Sequence, residues 1–189
     1  MPQMTSKTKS VGEIFTGTTK FEVPKHQRDY SWTAIEVEEL FTDIETTQTR
    51  SSPAYYIGML VLVEPRVPGG RYQILDGQQR LTTLTLLFAA ARDWCNAHSL
   101  ESDGKRIQAE FIGFSDYGQA EHDPRIVLNS NNRQIFEQFV VNTSDDLIRN
   151  EAPPSSLGEL PAPYAVDFSA RSQHRVQQPH PVPARHVAA

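Results

Sequence analysis

Two long segments of the chain repeat apolar residues with the period of an α-helix. The first is TAIEVEELFTDIETTQ, residues 33–48, where the i, i+3, i+4, i+7 positions form one stripe: Val37, Leu40, Phe41 and Ile44. Thr33 and Glu36 at its start have the spacing of a capping box. The second is QRLTTLTLLFAAARDWCNA, residues 79–97, with one apolar face: Leu81, Leu84, Phe88, Ala91 and Cys95. Both segments are predicted to be helices.

Shorter segments favour strands. KFEVP alternates apolar and polar residues and ends at Pro24, while YYIGMLVLVEP and RYQILD flank the turn-forming RVPGG. The last two are predicted to pair as a hairpin.

Three further segments complete the predicted elements. SVGEIFTG predicts a short helix, PRIVLNS another strand and NNRQIFEQFVVN a further helix. We therefore expect an α/β (α+β) domain over residues 10–150, with a small mixed sheet flanked by helices, after a flexible start at residues 1–9.

The end of the chain has a different composition. Seven of the 13 prolines lie between Pro153 and Pro183, and no helical or alternating period continues there. Proline lacks a backbone donor and disfavours helix at the preceding residue. Residues 151–189 are therefore predicted to be a disordered tail. Its three histidines lack ligand spacing, so solvated coil is favoured over a metal site: His174, His180 and His186.

Charge and apolar content exclude several classes of protein. The net charge of -5 gives no overall positive field that would attract nucleic acid, although a local basic face remains open: Lys7, Lys9, Lys20 and Lys25. Cys95 is the single cysteine, so no disulfide can form within the chain. It is expected to be a small core side chain rather than a nucleophile. No apolar run is long enough to span a bilayer, and we expect a cytoplasmic protein without membrane contacts.

The segment DGQQR, residues 76–80, lies where the predicted hairpin ends and the second long helix begins. Unpaired amides at a helix start attract anions, and a glycine permits a tight turn. Arg80 carries a planar set of donors for phosphate, and Asp76 could hold a magnesium-bound water. The structural alternative is that Asp76 only caps the helix or pairs with Arg80.

A second polar cluster, VPKHQRDYSW at residues 23–32, also follows a predicted strand. If the two strands are neighbours, Gln27 and Arg28 would face Gln79 and Arg80, and an anion or a carboxylate between the arginines would relieve their repulsion. Tyr30 and Trp32 either stack on a base or anchor the loop to the core. The anchor is the preferred interpretation of the two rings.

In combination, FEVPKHQRDYSWTAIEVEELFTDI, YYIGMLVLV and YQILDGQQRLTTLTLLFAA resemble the N-terminal domain of GmrSD-type restriction endonucleases, a group with the ParB/sulfiredoxin fold. The resemblance spans about residues 10–95, and PRIVLNSNNRQIFEQFV continues it to about 141. It implies NTP and Mg²⁺ as cofactors, and NTP turnover that regulates restriction of modified phage DNA. The implied catalytic candidates are Asp76, Gln79 and Arg80. The implied nucleotide-binding residues are Gln27, Arg28, Gly77, Gln78 and Arg80.

The chain also departs from that family. A long helical region and an HNH-type nuclease are expected downstream, and neither is visible after about Asn150. The leading hypothesis is a nucleotide-binding sensor domain of a DNA restriction system, with NTP hydrolysis left open, whose nuclease subunit would act in trans on DNA. The alternatives are a ParB-like DNA-binding module without turnover, and a truncated fragment without function. Sulfiredoxin chemistry is not expected, because glutamines stand in the turn where its cysteine would lie.

Overall fold

The structure is a computed structural model that describes residues 5–49, 54–114 and 123–141. Most of these residues form helices and short strands in a mixed α/β arrangement, which confirms the predicted fold class. The predicted tail at residues 151–189 lies outside the described residues, as do residues 1–4 of the predicted flexible start.

The helices are α1 (Val11–Phe15), α2 (Ala34–Thr49), α3 (Gln78–Ala97), α4 (Glu101–Ile107) and α5 (Ser130–Phe136), with π-helical turns at Gln108–Ile112 and Glu137–Val141. The strands are β1 (Phe21–Glu22), β2 (Val61–Val63), β3 (Tyr72–Asp76), β4 (Gly113–Phe114), β5 (Asp123–Pro124) and β6 (Ile126–Val127).

Four of the strands form one mixed sheet in the order β2-β3-β1-β6. Strand β1 is parallel to both β3 and β6, with Phe21 level with Tyr72 and Ile126. Strand β2 is antiparallel to β3, so the predicted hairpin is confirmed. Because three neighbouring strands run in the same direction, the segments that follow β1, β3 and β6 all leave the sheet at one edge.

Helix α3 is the central element of the core. Every residue from Leu81 to Leu86 is buried, so the first half of this helix is enclosed on all sides rather than along one stripe. Three aromatic rings connect α1 to the second half of α3. The ring centroids of Phe15 and Phe88 lie 5.2 Å apart in an edge-on arrangement, and those of Phe88 and Phe111 lie 4.4 Å apart in a stacked one. Burying one such ring stabilises the fold by about 1.5–3 kcal/mol.

The opposite edge of the sheet, where β1 and β3 begin, is held by charged side chains. Asp123 accepts from both Lys20 and Arg71, and Arg71 also donates to the carbonyl oxygen of Pro124 at 2.7 Å. Lys20 is therefore part of an ion pair with Asp123. This pairing offsets its charge within the basic face that the sequence suggested.

Three elements differ from the predicted pattern. The strand predicted over residues 55–65 is regular only at Val61–Val63, because Gly58 has a φ of +121° and the Arg80 side chain takes the carbonyl oxygen of Met59. The predicted strand at 124–130 divides into β5 and β6 around Arg125. Helix α4 was not predicted, since ESDGKRI has no apolar period.

No helix in the described part of the chain is both long and apolar enough to cross a membrane.

Candidate functional site

The two polar motifs singled out in the sequence meet at the edge where β1 and β3 end. The sheet pairs these strands in parallel, and the Gln27 side chain donates to the carbonyl oxygen of Leu75 at 3.2 Å. The condition for bringing the motifs together, that the two strands are neighbours, is therefore confirmed. We call residues 24–33, which follow β1, the QR loop.

Gly77 makes the sharp turn from β3 into α3. It has φ 89° and ψ 9°, in the left-handed region, and it precedes the first helical residue without any side chain capping the helix. A Cβ at this position would lie 2.2 Å from Cδ2 of Leu60. Glycine is required here for both its conformation and its close contact with Leu60.

Asp76 lies beside this turn and is exposed. Its Oδ1 accepts from the backbone N–H of Gly77 at 2.8 Å, rather than from an amide deeper in the helix. Among the described residues, no side chain at the N-cap position caps the first-turn amides of α3. The structure does not place Asp76 and Arg80 in an ion pair, and the N-cap residue is Gly77 rather than Asp76, so it shows neither structural alternative for Asp76.

Both glutamines of the DGQQR segment contact the backbone of the QR loop. Gln78 donates to the carbonyl oxygen of Arg28 at 2.9 Å, and Gln79 donates to that of Asp29 at 3.1 Å. The Gln79 oxygen accepts from Ser31 at 2.8 Å and also from Trp32 at 3.3 Å. These side chains are buried, at 7% and 8% exposure. An amide can supply both a donor and an acceptor, which explains why this residue type holds a loop backbone.

Both glutamines therefore hold the backbone of the QR loop in place, a role that the sequence did not indicate. The Gln79 oxygen already accepts two hydrogen bonds, and the side chain is enclosed, so it does not face open solvent where a water or metal ion would be held. Direct contact of Gln78 or Gln79 with a ligand stays a prediction.

The Tyr30 ring is part of the core, with 3% exposure. Its hydroxyl lies 2.8 Å from Oγ1 of Thr83, which itself donates to the carbonyl oxygen of Gln79 at 2.9 Å. Because the threonine proton is used there, the tyrosine is the donor. Burial raises the pKa of Tyr30 to about 12. Base stacking by Tyr30, one of the two sequence-based alternatives, is at odds with this enclosed ring, and the anchor alternative fits it.

Trp32 is half-buried and packs against the hydrophobic core. Its position agrees with an anchor as well, although part of its surface remains exposed.

Arg80 lies on the side of α3 that faces the β2 hairpin. Its Nη1 donates to the carbonyl oxygen of Met59 at 2.9 Å. Its charge also acts on Tyr55, whose hydroxyl donates to Oδ2 of Asp43 at 2.7 Å. The Asp43 carboxylate raises the pKa of Tyr55, and the Arg80 charge opposes that shift.

Arg28 is exposed, and within residues 5–49, 54–114 and 123–141 its guanidinium makes no hydrogen bond or ion pair. Its backbone is fixed by Gln78 while its charge is available to solvent. Arg28 follows β1, and the Arg80 side chain extends from the first turn of α3 to the segment before β2, so the two arginines lie on opposite sides of β3 in the order of the sheet.

A third segment, which sequence reasoning did not connect with the site, closes the same edge. Asn129 follows β6 and donates from Nδ2 to the carbonyl oxygen of Gln27 at 3.2 Å and to Oδ1 of Asp29 at 2.7 Å. Asn131 donates to Oδ2 of Asp29 at 3.0 Å. The signal in the sequence was the polar run NSNN at the end of the predicted strand PRIVLNS, which is similar to the arrangement of the other two motifs.

Asn129 is 6% exposed, and its side chain does not cap α5 although it stands at the N-cap position. Both partners of Nδ2 are acceptors, so the orientation of the amide is determined by its contacts. Asp29 is thereby held through both carboxylate oxygens. The QR loop is fixed from α3 on one side and from the β6–α5 junction on the other.

The acidic residues at this edge can supply only some of the ligands of a metal ion, so the rest would have to come from elsewhere. Among the described residues, no group of three or more His, Cys, Asp or Glu side chains is placed to hold a metal. Magnesium commonly uses one or two carboxylates and completes its shell with phosphates and water. Asp76, exposed and with one oxygen engaged, fits that limited role.

Cys95 is half-buried on α3, and burial raises the pKa of its thiol. A raised pKa keeps the thiol protonated, which agrees with a packing role.

Comparison with known families decides the relationship of the chain. A family model described as the GmrSD restriction endonuclease N-terminal domain matches residues 11–177, more than half of the chain. The chain belongs to this family. The GmrSD N-terminal domain match includes all three segments of the site and extends past the described residues, into the region predicted to be a tail. The chain is thus related to DNA restriction and phage defence. No curated protein matches it.

Proposed function

We propose that this chain binds a nucleoside triphosphate with Mg²⁺ at the edge where β1, β3 and β6 end, and that it is the nucleotide-responsive domain of a cytoplasmic system restricting modified DNA. The observation that carries the proposal is the start of α3, a 20-residue helix whose N-cap residue Gly77 has no side chain, with Arg80 in its first turn and the exposed Arg28 on the loop that Gln78 contacts. The amides at a helix start and the positive end of the helix dipole favour phosphate, and the two guanidinium groups add positive charge.

The other residues of the edge are assigned by what they contact. Gly77 is proposed to contribute through the tight turn that it makes into α3, where any side chain would collide with Leu60. Gln27, Gln78 and Gln79 position the QR loop, and through it Arg28. Asp76 is the candidate carboxylate for Mg²⁺, which when bound would neutralise phosphate charge.

Hydrolysis of the nucleotide would be electrostatic catalysis. In phosphoryl transfer most of the acceleration comes from positioning and from cations near the phosphoryl oxygens. Arg80 and Arg28 are the residues proposed to supply that charge. The Asp76 carboxylate is proposed to orient water, because it is the exposed acceptor closest along the chain to the start of α3.

Binding and turnover are tested separately with the full chain. Each of the four common NTPs is titrated in the presence of Mg²⁺ while the melting temperature and phosphate release are followed. We expect one NTP to raise the melting temperature of the wild type, and Arg80→Ala to reduce that shift. No response to any NTP, or an unchanged response in Arg80→Ala, contradicts the proposal.

DNA is the proposed partner, and a nuclease subunit acting in trans is proposed to perform cleavage. The support is membership of a restriction endonuclease family. Lys7, Lys9 and Lys25 are exposed and are the lysines available for phosphate contacts. Gel shifts on modified and unmodified DNA, with and without the bound NTP, distinguish a nucleotide-regulated domain from a DNA-binding module without turnover. DNA binding that weakens with salt but does not change when NTP is added favours the DNA-binding module without turnover.

A further inference from the structure

Gly58 lies directly against the guanidinium of Arg80. A Cβ built on Gly58 would be 2.9 Å from Cζ of Arg80, 3.0 Å from Nη1 and 3.1 Å from Nε. These three atoms belong to the planar group, so the guanidinium packs over the glycine at a distance that no other residue type allows. The backbone of Gly58 has a φ of +121°, a conformation that L side chains rarely adopt.

The next residue fixes the same group from its edge. Nη1 of Arg80 donates to the carbonyl oxygen of Met59 at 2.9 Å. Packing against Gly58 restrains the plane of the guanidinium, and the bond to Met59 restrains its rotation within that plane. An arginine held in this way keeps its remaining N–H groups in one orientation, which lowers the entropy lost when a phosphate binds.

We propose that Gly58 is a positioning residue that holds Arg80 in its ligand-binding orientation. The consequence for ligand affinity rests on the proposed nucleotide function, whereas the restraint of the side chain does not. Sequence reasoning missed Gly58, because it lies in an apolar stretch predicted to be continuous strand.

The substitution Gly58→Ala separates this role from a general effect on folding. The added methyl group meets the far end of a flexible side chain, which can move away. Gly69→Ala is the matched control: its φ is +75° and a Cβ there would meet nothing within 4 Å. The control carries the strain of a positive φ without touching Arg80.

The first measurement needs no ligand. The Nε–Hε resonance of Arg80, assigned by its loss in Arg80→Lys, is followed by ¹⁵N NMR relaxation. In the wild type we expect it to be ordered, in contrast to that of exposed Arg28. In Gly58→Ala we expect it to become mobile, and in Gly69→Ala to be unchanged. An Arg80 signal as mobile as that of Arg28 in the wild type overturns the proposal, even if Gly58→Ala does not fold.

The second measurement is a double-mutant cycle on NTP affinity. Gly58→Ala is expected to weaken binding about ten- to hundredfold, the effect of losing a charged hydrogen bond. In an Arg80→Ala background the same substitution is expected to change affinity little. An equal loss in both backgrounds overturns the proposal. If the wild type binds none of the four NTPs, the proposed function fails, and the NMR comparison alone decides the role of Gly58.

Discussion

The side-chain oxygen of Gln79 lies 2.8 Å from the backbone nitrogen of Ser31, so the second glutamine of the DGQQR segment holds a loop that precedes it by 48 residues. This bond, with those to Trp32 and Asp29, makes the first turn of α3 a support for the QR loop. Arg28 is carried by that loop. The position of the Arg28 backbone therefore depends in part on a buried neutral amide.

Replacing Gln79 by Ala is expected to destabilise the protein by about 2–4 kcal/mol, because three hydrogen bonds are lost and backbone groups of the QR loop are left without partners. The control is Gln73→Ala on the exposed face of β3, which should change stability by less than about 0.5 kcal/mol. Urea denaturation of both variants measures the difference. Equal stabilities for the two variants would show that the loop does not rely on Gln79.

The Gly77 turn provides a second test of the same region. Gly77→Ala adds a Cβ at 2.2 Å from Leu60 and at 3.1 Å from the carbonyl oxygen of Met59, in addition to the strain of a positive φ. We expect a loss of more than about 2 kcal/mol, against about 1 kcal/mol for Gly17→Ala, which has the strain without the contacts. Thermal unfolding in the absence of nucleotide distinguishes the two. A small effect at Gly77 would mean that the turn relaxes freely.

The contact between Asn129 and Asp29 predicts a pH-dependent defect. Asn129→Asp replaces a donor by a carboxylate next to the Asp29 carboxylate, so the variant should lose about 2–4 kcal/mol at neutral pH. The repulsion raises the pKa of the new acid in the folded state above its unfolded value. Part of the lost stability should therefore return as the pH falls below about 5.

Asn131→Asp is the exposed counterpart, and its defect at neutral pH should stay below about 1 kcal/mol. Denaturation curves at pH 4 and pH 7 compare the variants. A defect in Asn129→Asp that does not change with pH would exclude charge repulsion as its cause.

Tyr30 predicts a loss of stability in alkali. Its pKa is raised by burial to about 12 in the folded protein, from an ordinary value of 10.0. The unfolded chain releases this proton first, so the stability is complete below pH 10 and decreases as the pH rises from 10 to 12. Linkage over two pH units corresponds to about 2–3 kcal/mol. Tyr30→Phe should remove this part of the alkaline decrease, and an unchanged decrease would assign it to other groups.

Apolar periodicity predicted α2, α3 and the hairpin, because the spacing of apolar residues in a segment shows which of its faces will be buried. It did not predict α4, whose Gly104 is buried near Asn96 and the carbonyl oxygen of Arg92. This packing against α3, rather than a local preference, accounts for a helix in a polar segment. The length of β2 was overestimated for a similar reason, since the Arg80 side chain, from a different element, donates to the carbonyl oxygen of Met59 just before the strand.

The location of the site was predictable from the sequence, but the roles of the individual residues within it were not. A Gln-Arg pair after each of two strands predicted that both motifs would meet if the strands were neighbours, and they do. A glutamine has the same hydrogen-bonding groups whether it faces a ligand or a loop backbone, so its partner is decided by the tertiary structure. Asn129 was missed because one asparagine after a strand has many ordinary explanations.

The most direct test of the account is the equilibrium affinity of the full chain for Mg²⁺-NTP, measured by calorimetry for the wild type, Arg28→Ala and Arg66→Ala. Arg66 is an exposed arginine in the turn between β2 and β3, away from the proposed site, and serves as the charge control. We predict that Arg28→Ala weakens binding about ten- to hundredfold while Arg66→Ala stays near the wild type. Equal affinities for the wild type and Arg28→Ala, or an equal loss in both variants, would contradict a nucleotide site at this edge of the sheet.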